Sequence, residues 1–143
     1  MRTTVLLIFL AFISCQTPTS KPDDNARATA TAMFEAFNQH DWSRMASYYA
    51  EDADFLDPSF GKEYVKQSRE ELAKKYADMQ QMFPDIKDDI TAVHAAGETV
   101  VVQFTSHGTA SNGASFQLPI VTLLTFRNGL IVRDATYYDL ENE

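Results

Sequence analysis

Apolar residues recur at spacings of three and four over the first half of the folded region, and at every second position over the rest. Between residues 24 and 40, Met33 and Phe37 lie four apart, as do Ala30 and Phe34, which predicts a helix with one apolar stripe. Asp41 is a suitable N-cap for a second, short helix whose apolar side is Trp42, Met45, Tyr48 and Tyr49. Residues 53–57 alternate and predict a strand that Pro58 stops. Ser68 and Glu71 have the spacing of a capping box, and the helix they open carries Leu72, Tyr76, Met79 and Phe83 before ending at Pro84. The remainder reads as strands over 90–95, 99–110, 116–126 and 130–138, punctuated by Gly97, Asn112-Gly113 and Asn128-Gly129. Asn-Gly between alternating runs is a strong local hairpin signal. Helices first and an antiparallel meander afterwards make the class α+β: a long, curved sheet wrapped on about three N-terminal helices, forming a half-open cone.

The first 26 residues carry no such period. Val5 to Ile13 is an unbroken apolar run behind the single positive charge of Arg2. It is too short to span a bilayer, which takes about twenty residues, and predicts the core of a signal peptide. Ala11-Phe12-Ile13-Ser14-Cys15 resembles the lipobox of bacterial lipoproteins, departing from it at Phe12, where leucine is usual. That resemblance implies cleavage after residue 14, lipidation of Cys15 and a cell-envelope location, the outer membrane facing the periplasm if the cell has one. An ordinary secretory signal with an incidental cysteine is the alternative. Cys15 is the chain's only cysteine, so no internal disulfide accounts for it. Residues 16–26 hold two prolines and small polar residues and read as a tether. The expected organisation is a signal peptide over 1–14, the lipidated cysteine and tether over 15–26, and one domain over 27–143. The formal charge of −8 and the lack of a basic cluster argue against nucleic acid as a partner.

Phe37-Asn38, His40-Asp41-Trp42, the run Tyr49-Ala50-Glu51-Asp52-Ala53 leading to Asp57-Pro58, Phe83-Pro84-Asp85 and Tyr137-Tyr138-Asp139 together resemble the SnoaL-like branch of the nuclear transport factor 2-like superfamily. The resemblance covers about residues 27–140. It implies a cone-shaped fold with a pocket between sheet and helices, found in polyketide cyclases, ketosteroid isomerases and proteins without activity. Fold alone therefore leaves function open.

Two acids stand out. Asp57 lies in a segment similar to that of the ketosteroid isomerase base. On a strand face with Ala53 and Phe55 it is expected to lose solvation, which would raise its pKa and suit it to act as a base. The alternative is a turn residue capping nearby amides. Asp134 falls by alternation on the row of Leu130, Val132, Thr136 and Tyr138, opposite Ile131 and Arg133. It matches a polar pocket position of SnoaL-like proteins, and pairing with a basic neighbour is its alternative role. The tyrosine and the second acid of the isomerase family fall at Met33 and near Thr122, and a thioether donates no hydrogen bond. Trp42, Tyr48, Tyr76, Thr122 and Tyr138 are the expected ligand-binding wall. His107 alternates onto the polar face, His94 onto the row of Ile90 and Ala92, and His40 into a solvated turn. No metal-ligand spacing and no nucleotide or dinucleotide motif occurs, so no metal and no cofactor is expected. Three readings remain: a cofactor-free acid/base enzyme using Asp57 and Asp134, a domain that binds a small apolar ligand without turnover, or a purely interacting, dimeric module. The face carrying Gln103, Thr105, Gln117, Val121 and Leu123 is expected to form a homodimer.

Overall fold

A computed structural model describes residues 22–139. The signal peptide, Cys15 and all but the last five residues of the expected tether lie outside the described residues. Helix α1 (Pro22–Asn38) is followed by α2 (Trp42–Ser47), β1 (Tyr49–Leu56), β2 (Val65–Ser68), α3 (Arg69–Met82), β3 (Lys87–Ala96), β4 (Thr99–Thr109), β5 (Ser115–Arg127) and β6 (Leu130–Tyr137). The six strands form one sheet in the order β2-β1-β6-β5-β4-β3. The α+β class and the curved sheet with three helices are as expected, and β3 to β6 form the antiparallel meander. One junction differs: β1 runs parallel to β6, and β2, unforeseen in the sequence, pairs antiparallel to β1.

Local chemistry explains most boundaries. Helix α1 starts at Pro22, five residues before the expected end of the tether, because proline suits the first helical position and Asp23 and Asp24 face the positive end of the helix dipole. Asp41 caps α2 by accepting from the Arg44 amide at 3.0 Å. The capping box of α3 is complete: Glu71 N donates to Ser68 Oγ at 3.2 Å, and Ser68 N donates to Glu71 Oε2 at 2.8 Å. At the last hairpin both Asn128 (φ 52°) and Gly129 (φ 78°) take the left-handed conformation that a tight two-residue turn demands.

Two bulges correct the alternation read from the sequence. In β3, Ile90 pairs with Phe104 but Ala92 with Gln103, so Thr91 is the extra residue; beyond it Val93 packs on the core and His94 is exposed. In β6, Ile131 opposes Phe126 while Arg133 opposes Thr125. Val132 is the extra residue, so Ile131 faces inward, fully buried, and Asp134, one position later than strict alternation from Ile131 would give, also turns inward. The core is the space between the inner sheet face and α1 to α3, filled by residues such as Phe34, Phe37, Val100, Val102 and Leu124.

Candidate active site

A cavity of about 530 Å³ opens between α1, α3 and the inner sheet face. Its wall is mostly apolar, with Phe34, Phe37, Met79, Phe83, Phe104 and Phe116 prominent, and its polar groups come in three clusters.

The deepest cluster centres on Asp134, which is 8% exposed. Tyr49 donates its hydroxyl to Oδ2 at 2.8 Å, Thr136 donates to Oδ1 at 2.9 Å, and Thr122 donates to Oδ1 as well. Burial pushes the Asp134 carboxyl up, the three hydroxyls act against that, and the charge of Asp57 adds to the rise. Burial, together with the neighbouring carboxylate, also pushes the Tyr49 hydroxyl well above its ordinary value. The alternative pairing of Asp134 with a basic neighbour is not found: Arg133 instead approaches Asp54 at 3.6 Å on the outer side.

The second cluster is Asp57. Its Oδ1 accepts from the Ser59 amide at 2.8 Å, the Ser59 hydroxyl at 2.7 Å and the Tyr138 hydroxyl at 2.8 Å, while Lys75 Nζ donates to Oδ2 at 3.0 Å. Burial raises its pKa, but the Lys75 ammonium and the Ser59 donors outweigh burial, and the carboxyl lies below its ordinary value. The expected upward shift is therefore corrected: four donors, one of them the Lys75 cation, hold Asp57 as a fixed anion. Its turn role is present too, since it begins the turn closed by Phe60 N to its carbonyl at 2.8 Å. Tyr138, bound to this anion and partly buried, is pushed up to about 12.

The third cluster escaped the sequence reading. Asp88 sits at the start of β3, 6% exposed, opposite Ser106 of β4, and both line the cavity. Asn38 clamps the Asp88 backbone on both sides, donating to its carbonyl and accepting from its amide at 2.8 Å each. Asp88 Oδ1 is fully buried and has no hydrogen-bond partner. Burial raises the carboxyl to about 7, with Ser106 and His107 acting against the rise and Asp89 adding to it.

Asp57, Asp134, Tyr76, Thr122 and Tyr138 thus line one cavity. Trp42 and Tyr48 do not. The Trp42 indole donates to Gln80 at 2.8 Å and stacks behind Tyr76 at 5.9 Å, so it supports the wall without forming it. Tyr48 ends α2 as its C-cap, with its carbonyl accepting from Ile131 at 2.9 Å. His107 pairs with Asp89 at 2.9 Å, outside the cavity. His40, expected in solvent, is half-buried: Gln80 donates to its Nδ1 and its Nε2–H reaches the Ile86 carbonyl, each at 2.8 Å. Tyr49, read as helical, is a strand residue, and it brings a phenol beside Met33, where the isomerase tyrosine position had fallen. Lys75 could have been found, because it is three residues beyond Leu72 on the inward stripe of α3. Among the described residues, no group of three or more His, Cys, Asp or Glu is placed to hold a metal.

The pattern of the SnoaL-like domain matches residues 30–134. The chain belongs to the SnoaL-like domain family. The SnoaL-like fold is shared with a "putative polyketide cyclase" from Xanthomonas campestris pv. campestris at 26% identity, TM-score 0.75, over 85% of this chain and 95% of that one. IdmH of Streptomyces antibioticus, which carries the same designation, is 23% identical with TM-score 0.70, over 80% and 91% of the two chains. A hypothetical protein with a ketosteroid isomerase-like fold from Catenulispora acidiphila, crystallised with trimethylamine, is 24% identical with TM-score 0.69, over 78% and 85%. No curated protein matches the sequence.

Proposed function

We propose that this SnoaL-like domain binds a small, largely apolar molecule in the cone cavity and is held at a membrane by lipidated Cys15. The observation that carries the first part is the cavity itself: about 530 Å³, walled by aromatic and methionine side chains, with its few polar groups gathered at defined points. This is the composition of a small-molecule site. Tyr76 lines it and supplies a hydroxyl donor for a ligand oxygen.

Five methionines give a direct test. Met33, Met45 and Met79 line the cavity, whereas Met82 is 57% exposed and does not. In protein labelled with ¹³C-methyl methionine, a neutral aromatic probe such as 1-naphthol should shift the first three resonances and leave Met82 in place. Absence of shifts at millimolar probe would overturn the reading.

A second reading, acid/base turnover of the bound molecule, draws on Asp134. A buried carboxyl with a raised pKa and an ordered ring of hydroxyls is suited to hold and deliver a proton. Asp57, tied to Lys75, orders the rim and polarises Tyr138; it does not serve as the base. On this reading Asp134→Asn abolishes turnover while ligand binding survives.

A further inference from the structure

The Asp88 carboxyl is an unexplained feature of the cavity. Buried carboxylates are paired or hydrogen-bonded in nearly all folded proteins, because leaving one without a partner forfeits its hydration and replaces it with nothing. Asp57 meets that demand through Lys75 and Ser59, and Asp134 through three hydroxyls. Asp88 has the Ser106 hydroxyl as its one side-chain donor and no cation, and its Oδ1 has no partner. The Asn38 clamp holds the Asp88 backbone in place from two directions, so the strand cannot readily turn the side chain away.

We infer that the partner of Asp88 is supplied by the ligand, and that the ligand is a protonated organic amine with an apolar body. This rests on the proposed binding role of the cavity and names the chemistry of its occupant. Three observations select that chemistry. First, charge: among the described residues Lys75 is the one basic side chain on the cavity wall, and it is committed to Asp57 at 3.0 Å. What remains uncompensated is acidic, so an anionic ligand meets repulsion and a cation meets attraction. Second, surroundings: the Phe34–Phe104 pair (centroids 4.8 Å apart) and the Phe83–Phe116 pair (4.9 Å) border the same cavity. Aromatic rings accept an organic ammonium through their faces while accommodating its alkyl groups. Third, ligand count: a metal cation needs several oxygen ligands in a shell, and one carboxylate among phenylalanines does not provide it. A neutral hydroxyl would satisfy Oδ1 but leave the charge unpaired, and a charge-assisted bond is roughly twice as strong. The raised pKa of Asp88, about 7, fits a buried carboxyl that no side-chain cation of the cavity neutralises and that would ionise beside a bound ammonium.

Three probes with one ring and nearly one length test this on the full chain by calorimetry at pH 7.5: 2-phenylethylamine, 2-phenylethanol and 3-phenylpropionate. The amine should bind at least tenfold more tightly than the alcohol, and the carboxylate weakest. Asp88→Asn should bring amine and alcohol to within about twofold, whereas Asp78→Asn, on the exposed side of α3 and outside the cavity, should leave the preference intact. Equal wild-type affinity for amine and alcohol overturns the inference while leaving the apolar-cavity reading standing, and that ranking needs no variant to fold. A preference that survives Asp88→Asn also overturns it. Binding of none of the three, with no methionine shifts from 1-naphthol, overturns both.

Discussion

The hydroxyl of Tyr49 is donated to a carboxylate that is itself fully enclosed, so its loss is felt mainly when that carboxylate is charged. Tyr49→Phe should cost about 1–3 kcal/mol in urea denaturation at pH 8, and progressively less as the pH falls and Asp134 takes up a proton. Asp88 has the opposite sign of pH dependence from an ordinary paired carboxylate. Its pKa is near 3.8 unfolded and about 7 folded, so the folded state holds a proton that the unfolded chain releases between those values. The associated stability is fully present below pH 4, is lost as pH rises through 7, and is flat above that. The difference between the two states corresponds to at most about 4 kcal/mol at 1.36 kcal/mol per pH unit. Asp88→Asn should therefore raise the melting temperature at pH 8 and change it little at pH 4. An unchanged melting temperature at both pH values would mean that Asp88 is paired after all.

At the scale of elements, β4 reaches the end of α3 through a glycine. A Cβ at Gly108 would lie 3.0 Å from Phe116 Cε1 and 3.1 Å from Phe83 Cβ, with the Ile86 backbone at 3.5 Å. Gly108→Ala should destabilise the domain by about 1–3 kcal/mol, read by chemical denaturation, and displace two cavity rings. Elements whose signals are local were legible in the sequence. The stripe of α3, the Ser68–Glu71 box, the Asp41 cap and the Asn128-Gly129 turn each depend on residues at most a turn apart. What was not legible depends on partners. Strand β2 is four residues long, with Val65 its only apolar member, and becomes a strand because β1 pairs with it. Asp88-Asp89 looks like polar loop until pairing with Ser106 and Thr105 sends one acid inward and the other outward. The bulges at Thr91 and Val132 each reverse the parity between the two sides of the strand, which is why His94, beyond the first, faces outward and Ile131, before the second, faces inward with Asp134. Within the site, Asp57, Asp134, Tyr76, Thr122 and Tyr138 were named in advance, yet the pKa direction of Asp57 was not, because Lys75 arrives from a helix 18 residues away.

For the whole molecule two expectations extend beyond the described residues or the single chain. If Cys15 carries lipid, Cys15→Ser should move the protein from the membrane fraction to the soluble one, and equal partition of both forms with no acyl mass on the wild type would end that idea. The outer sheet face at Gln103, Thr105, Gln117, Val121 and Leu123 is partly exposed and mixed in character, and a symmetric dimer through it should appear by light scattering at tens of micromolar. Only monomer at that concentration would count against it.

The parallel seam between β1 and β6 also bears on how the molecule comes into being. Strand β6 lies between β1 and β5, and the Tyr49–Asp134 bond joins residues 85 apart. The meander of β3, β4 and β5 can assemble from near neighbours in the chain. The floor of the cavity cannot, because β1 has no central partner until the last strand has emerged. Closing that long loop is an entropic toll that makes such topologies slow to fold. A chain still leaving the ribosome, with residues 130–137 yet to appear, would carry an open sheet edge and no binding site. Late closure would leave the site unformed until the last strand is made, and the ligand could be met only by the completed domain.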